Sequence, residues 1–218
     1  MSVLKLNNVT FSYGNKKVLE NISFEFEKGK MYAIMGQSGA GKTTLLSLLS
    51  GLNKAQSGEI LYEDKNINDI NRYDYRSKYV GVVFQSFNLL TKFTAAENIE
   101  LSMDVSGVGM RSKDKKRASY ELLSKMGLER DEADRRILKL SGGQQQRVAI
   151  ARAISYNPDI ILADEPTGNL DEETQNEIME IFKGLKDEGK CVIIVTHSKT
   201  VAEKCDKIYR LVRTSKKQ

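Results

Sequence analysis

The sequence predicts an α/β protein: a parallel, helix-covered sheet, an antiparallel β lobe at its N-terminal end, and a helical lobe inserted between two parts of the core. Three observations lead there. The runs 31–35, 160–163 and 192–195 are continuously apolar, which is the pattern of strands buried on both faces beneath helices. Residues 171–189 place Ile178, Ile181, Phe182 and Leu185 on one helical face. Asp171 serves there as N-cap and Gly189 as stop, and an apolar run follows, so helix and strand form half of a crossover unit. By contrast, Leu4-Lys5-Leu6 and Ile22-Ser23-Phe24-Glu25-Phe26-Glu27 alternate apolar with polar, as strands of an antiparallel sheet with one wet face do.

The inserted lobe is read from residues 94–140, which are charged and helical in character. Leu122, Leu123 and Met126 fall close together on one helix face that ends at Gly127. The expected organisation is one domain over residues 1–218. Residues 1–85 and 156–218 make the β lobe and α/β core, and 86–155 make the helical lobe. Hydrophobic residues make up 40% of the 218 and charged residues 29%, an ordinary balance for a folded globular chain. Only Pro158 and Pro166 occur, so no Pro-rich linker divides it.

No apolar run approaches the roughly 18 residues of a membrane span, and residues 1–5 do not begin a secretory signal. The expected location is therefore the cytosol. Cys191 and Cys205 have no metal-ligand spacing and read as reduced thiols. The net charge of +5 collects at 111–117 and 210–217. Acids such as Asp114 and Glu121 interrupt the first cluster, which favours a solvated helix face and a basic tail over a nucleic-acid surface.

Chemistry concentrates at three places. Gly36-Gln37-Ser38-Gly39-Ala40-Gly41-Lys42-Thr43 fits the P-loop pattern, with an apolar strand before it and an apolar helix, opening at Thr44, after it. Its glycines let backbone N–H groups turn toward a phosphate, Lys42 supplies a point charge, and Thr43 offers a hydroxyl to Mg²⁺. The second place is Ile160-Ile161-Leu162-Ala163-Asp164-Glu165, a buried strand with two carboxylates at its C-terminal end, where open α/β sheets bind ligands. Downstream of a P-loop, Asp164 is the expected Mg²⁺ acid and Glu165 the group that orients and deprotonates an attacking water. The third is Leu140-Ser141-Gly142-Gly143-Gln144 at the start of a helix. Hydroxyl, N–H groups and helix dipole make a second anion site there. One nucleotide does not need two such sites in one chain, whereas a head-to-tail dimer uses both.

With these strings in order, the chain resembles an ABC-transporter nucleotide-binding domain over essentially its whole length, and Leu-Ser-Gly-Gly-Gln is highly specific to that superfamily. The resemblance implies ATP as substrate, Mg²⁺ as cofactor, an ATP-sandwich dimer with a second copy, and a separate transmembrane permease. It implies further residues. Tyr13 matches the aromatic that stacks on adenine; without the family it reads as a strand tyrosine packing on a neighbour. Gln85 matches the glutamine that touches Mg²⁺ and water. Asp171 matches the loop that crosses the dimer interface. His197, the only histidine, matches the switch residue at the γ-phosphate. Residues 87–90 are expected in a groove that receives a cytoplasmic helix of the permease. Localisation is then peripheral, on the inner face of the cell membrane.

Residues 84–90, 94–99 and 165–171 resemble the subgroup serving macrolide export, lipoprotein release and bacitracin-type peptide efflux. Ser198 departs from that subgroup, which often has Asp there, and residues 209–218 lack its glycine-containing turn. The alternative is an ABC ATPase acting on nucleic acid. Such proteins carry a long coiled coil between P-loop and signature, and this interval has no sustained heptads, so no nucleic-acid partner is expected. A translation-associated ABC protein would carry two cassettes, and a P-loop nucleotide kinase would have no use for the signature.

Overall fold

The computed structural model describes residues 2–213. The chain opens with β1 (Ser2–Tyr13), β2 (Lys16–Glu27), β3 (Met31–Gly36), α1 (Lys42–Leu49), β4 (Ser57–Tyr62) and β5 (Lys65–Asn66). After α2 (Arg72–Asp74) come β6 (Val80–Val83), α3 (Ala95–Val105), α4 (Ser112–Lys125), α5 (Arg130–Ala133) and α6 (Gly142–Ile154). The last third holds β7 (Ile160–Asp164), α7 (Glu172–Asp187), β8 (Cys191–Thr196), α8 (Lys199–Glu203) and β9 (Lys207–Leu211).

Two sheets result. One is antiparallel, in the order β2-β1-β4-β5; the other runs β6-β7-β8-β3-β9, and every pairing in it is parallel. The three continuous apolar runs are its central strands, β3, β7 and β8. Their period-two alternation divides the core. Ile160, Leu162, Cys191, Ile193, Val195 and Ile34 face α1 and the antiparallel sheet. Ile161, Ala163, Val192 and Ile194 face the other way, onto α6, α7 and the helices between β6 and β7. Each buried aliphatic contributes about 1.5–3 kcal/mol.

The alternating N-terminal segments pair antiparallel, as expected, and form a hairpin with Leu4 opposite Phe26 and Tyr13 opposite Lys16. The 171–189 helix is α7, capped where the Asp171 carboxylate accepts from the Thr174 N–H at 2.9 Å. Four of its residues, Ile178, Met179, Phe182 and Leu185, are buried, while Ile181 is only partly so. Leu123 and Met126 are buried in the helical region and Leu122 packs beside them. Helix α6 serves both regions. Its upper turns join the helical cluster, and just past its end the Tyr156 hydroxyl donates to the Val80 carbonyl of β6 at 2.8 Å. In α4 the basic run is exposed and laced with ion pairs, Arg111–Asp114 and Arg117–Glu121 among them. Of the basic C-terminal run, residues 214–218 lie outside the described residues. Cys191 and Cys205 are free, and burial pushes the Cys205 thiol up to about 12.

Candidate active site at the carboxyl edge of the parallel sheet

Register brings the chemistry to one edge. Met35 pairs with Thr196 and Asp164 with Val195. The ends of β3, β7 and β8 are therefore level, and the P-loop, the acidic pair and His197 leave the sheet side by side.

The P-loop turns from β3 into α1. Gln37, Ser38 and Gly39 are exposed, Ala40 is buried and Thr44 is partly buried. The Lys42 ammonium lies back over the loop, donating to the Gly36 carbonyl at 2.8 Å and the Gln37 carbonyl at 3.4 Å. Gly41 is the N-cap of α1 at φ 94° and provides no side-chain cap. A Cβ there would stand 2.9 Å from both Val18 and Leu19 of β2, so only glycine lets the β1–β2 hairpin close on the loop. An uncapped first turn leaves its N–H groups for an anion.

Asp164 and Glu165 differ sharply in surroundings. The Asp164 carboxylate accepts from the Thr43 hydroxyl at 3.2 Å, which puts both expected Mg²⁺ oxygens together. Burial raises the Asp164 carboxyl above its ordinary range, and the neighbouring Glu165 adds to this against the opposing pull of Thr43 and Lys42. Glu165 sits at φ 45°, a left-handed conformation that a non-glycine residue enters at a cost of about 1–2 kcal/mol. Its N–H is held by the Val195 carbonyl at 2.9 Å. Its carboxylate accepts from the Thr196 hydroxyl at 3.1 Å and the His197 N–H at 3.3 Å, and lies 2.8 Å from His197 Nδ1. The carboxylate is thereby aimed, and the strain in its backbone is a property of the site.

Gln85 follows β6 and is exposed; its amide nitrogen would be 3.6 Å from a Cβ at Gly168, in the loop that leaves Glu165. Tyr13 is 54% exposed at the hairpin tip, with its ring edge-on to Phe11 at 4.9 Å. It is both a strand tyrosine with a ring neighbour and an aromatic face open to solvent.

Ser141 is the N-cap of α6. Its hydroxyl oxygen accepts from the Gln144 N–H at 3.2 Å, and the Gln144 side chain accepts from the Ser141 N–H at 2.9 Å, a closed capping box. A Cβ at Gly143 would stand 2.7 Å from the Thr174 methyl, so this loop lies directly on the first turn of α7 that Asp171 caps. Signature loop and Asp171 loop form one surface. Among the expected residues, Thr43 contacts Asp164 and Glu165 contacts His197, Lys42 rests on its own loop, and the contacts of Ser141 and Gln144 lie within their own loop and with Glu132.

One residue of the site escaped the sequence reading. Thr196 is buried, orients Glu165 and accepts from the Ser198 N–H at 3.0 Å; its place just before His197 at a strand end was the available signal. Ser198 caps α8 by accepting from the Val201 N–H at 3.3 Å, a task that serine and aspartate share. The groove also differs from expectation. A cleft of about 350 Å³ is lined by residues that include Leu52, Arg76, Phe84, Asn88, Arg152 and Tyr156. Of residues 87–90 only Asn88 lines it; Phe87 and Leu89 pack on the helical core, and Leu90 is 43% exposed.

The ABC transporter family matches residues 19–168. The ABC transporter ATP-binding protein YclH of Bacillus subtilis (strain 168) is 45% identical, over 99% of this chain and 96% of its own. The lipoprotein-releasing system ATP-binding protein LolD of Francisella tularensis is 40% identical, over 96% and 94%. Among solved structures, the dimeric form of the bacterial ABC transporter cassette MJ0796 superposes with a TM-score of 0.86 at 40% identity, covering 95% of this chain and 94% of that one. The same cassette has been captured after hydrolysis with ADP and Pi. With the family matched over residues 19–168 and relatives covering nearly the whole chain, the chain belongs to the ABC transporter family as an ATP-binding subunit.

Proposed function

We propose that the chain dimerises around two Mg-ATP and powers a separate membrane permease for export or efflux of a peptide, drug or lipid-linked substrate. The observation that carries this reading is a pair of loop-to-helix turns, one at Gly41 into α1 and one at Ser141 into α6. The apolar side chains of α1 lie in the core facing the antiparallel sheet, and those of α6 in the core on the opposite face. Two anion-ready ends on opposite faces suit one phosphate only when each comes from a different copy. The dimeric cassette among the relatives supports the arrangement, and the lipoprotein-releasing relatives support the substrate class.

The donor set suits Mg²⁺. Thr43 and Asp164 supply hard oxygens 3.2 Å apart. Among the described residues no group of three or more His, Cys, Asp or Glu could hold a metal, and Mg²⁺ takes few protein ligands when phosphates and waters complete its shell. Bound there, Mg²⁺ would neutralise charge on the β- and γ-phosphates. Lys42 exchanges the loop carbonyls for phosphate oxygens, and N–H groups of residues 38–44 surround the anion. Glu165 orients the attacking water and takes its proton; Thr196 and His197 hold that carboxylate. His197, 73% exposed on its side chain, reaches the γ-phosphate, and Gln85 reports on metal and water. Tyr13 stacks on adenine. From the other copy, the Ser141 hydroxyl, the Gly142 and Gly143 N–H groups and Gln144 close over the γ-phosphate, with the Asp171 loop beside them. Among the described residues no helix is long and apolar enough to cross a membrane, so the membrane is met through the permease, on its cytoplasmic face.

The test is co-expression with the membrane protein of the adjacent reading frame. Wild type should co-purify with it. Leu90→Asp, a charge at an exposed residue two positions past the cleft-lining Asn88, should lose the partner while its ATP affinity stays within about twofold, as expected of a surface change away from the nucleotide. Unchanged co-purification and transport would remove this face from the permease interface.

A further inference from the structure

The loop after β6 makes a costly turn. Phe87 and Asn88 are consecutive non-glycine residues at φ 58° and 51°, a region that L side chains disfavour. The turn keeps two short backbone bonds, Phe87 N–H to the Phe84 carbonyl and Asn88 N–H to the Ser86 carbonyl. Its own carbonyls converge on one side chain. Arg152 donates through Nη1 to the Asn88 carbonyl at 2.5 Å and through Nη2 to the Phe87 carbonyl at 2.9 Å.

Arg152 belongs to α6, eleven positions after the signature serine. Burial holds its guanidinium below the usual arginine range, and Tyr156 is the one other side chain that shifts it. Among the described residues no carboxylate pairs with it. A half-buried guanidinium kept for two carbonyls is an expensive way to fill space, so its geometry is what the fold retains. The helix end that carries it is tied down, with the Ser102 hydroxyl on the Arg152 carbonyl at 3.2 Å and Tyr156 on β6.

We infer that Arg152 is a positioning residue that locks the Gln85 loop to the signature helix, so that Gln85 and Ser141 move as one body. Gln85 lies two residues before the clamped turn and Ser141 caps the far end of the clamping helix. Arg152 and Asn88 also line the cleft, so a segment seated there touches the lock itself. The inference rests on the role given to Gln85 above.

Amide hydrogen exchange and steady-state kinetics on the full chain test it, using Arg152→Met, Arg152→Lys, Gln85→Ala and the double variant Arg152→Met/Gln85→Ala. Arg152→Met should speed exchange at Phe87, Asn88 and Leu90 by about tenfold or more, the scale of losing charge-assisted hydrogen bonds, while protection in α6 stays. The kcat should fall by a similar factor with KM for ATP within about twofold, the mark of a group acting on the reaction and not on binding. Arg152→Lys, able to reach one carbonyl, should recover part of both. The double variant should be no slower than Gln85→Ala alone. Unchanged exchange at 87–90, or multiplying effects in the double variant, would overturn the inference, as would loss of α6 protection in both Arg152 variants. Wild-type turnover by Gln85→Ala would instead remove Gln85 from the mechanism, and the exchange result would still decide whether Arg152 clamps the loop.

Discussion

The P-loop and the signature loop are both turns into helix N-termini, and they differ in how those ends are satisfied. The end of α1 is capped by Gly41 with no side chain, so the first-turn N–H groups keep their donors for a ligand, and Lys42 rests on carbonyls it can leave. The end of α6 satisfies itself through the Ser141–Gln144 box. Its serine oxygen is spent on Gln144, and only the O–H and the glycine N–H groups remain to be offered outward. On the proposed reading, the first loop is a binding site in a single chain, and the second is a stable surface that adds a few donors to a site assembled elsewhere. Affinity for nucleotide would then belong to the first loop and dimerisation to the second.

The largest expected effect comes from stopping the chemistry so that both loops hold the same phosphate. Glu165→Gln keeps size and removes the proton acceptor; turnover should fall about 10²- to 10⁴-fold. Loss of a carboxylate also relieves repulsion near the triphosphate, so an ATP-bound dimer should accumulate in light scattering where wild type gives a transient one. Turnover at the wild-type rate would move the base elsewhere, with His197 and Gln85 the next positions to examine.

A paired experiment separates the two loops. Lys42→Ala should weaken ATP binding by about 10- to 150-fold, the equivalent of 1.5–3 kcal/mol for a charge-assisted contact, with an unchanged circular dichroism spectrum. Ser141→Arg should leave ATP binding to the monomer within about twofold and abolish the ATP-dependent dimer on a sizing column, while loss of the N-cap lowers stability by about 1 kcal/mol. Equal loss of affinity in both variants would erase the distinction between the loops.

The smallest effect concerns Asp164. Its carboxyl is raised by burial, so the folded state binds this proton more tightly than the unfolded chain. That contribution to stability is present below the unfolded value near 4 and is lost as pH rises through the raised folded value. Asp164→Asn should therefore raise the melting temperature of nucleotide-free protein at neutral pH, and the gain should shrink as pH falls toward 4. In Mg-ATP the order should reverse, because the metal loses its acid. A melting temperature independent of pH between wild type and variant would show that burial does not tax this carboxylate.

Much of the site was legible because its parts are local strings. A glycine-rich turn between an apolar run and an apolar helix, a strand ending in Asp164-Glu165, and a Ser141-to-Gln144 box each occupy a few consecutive residues. The capping box at Thr94 and Glu97 is equally local. The clamp is not: Arg152 meets carbonyls 64 and 65 positions earlier, and backbone acceptors leave no mark in side-chain identity. The cleft misled for a similar reason. Residues 87–90 read as one apolar-polar stretch, but the left-handed turn at Phe87 and Asn88 sends their side chains in different directions.

By itself, the sequence determined the buried strands, the helices with their caps, and the chemical groups able to grip a triphosphate, because these depend on periodicity and near-neighbour sterics. Tertiary structure alone decided that Met35, Asp164 and Thr196 end level, that Thr43 meets Asp164, that Glu165 is aimed by Thr196 and His197, and that Arg152 ties α6 to the Gln85 loop. Those outcomes depend on strand register and helix packing, where the burial of apolar faces from distant segments sets positions that no short window of residues can encode.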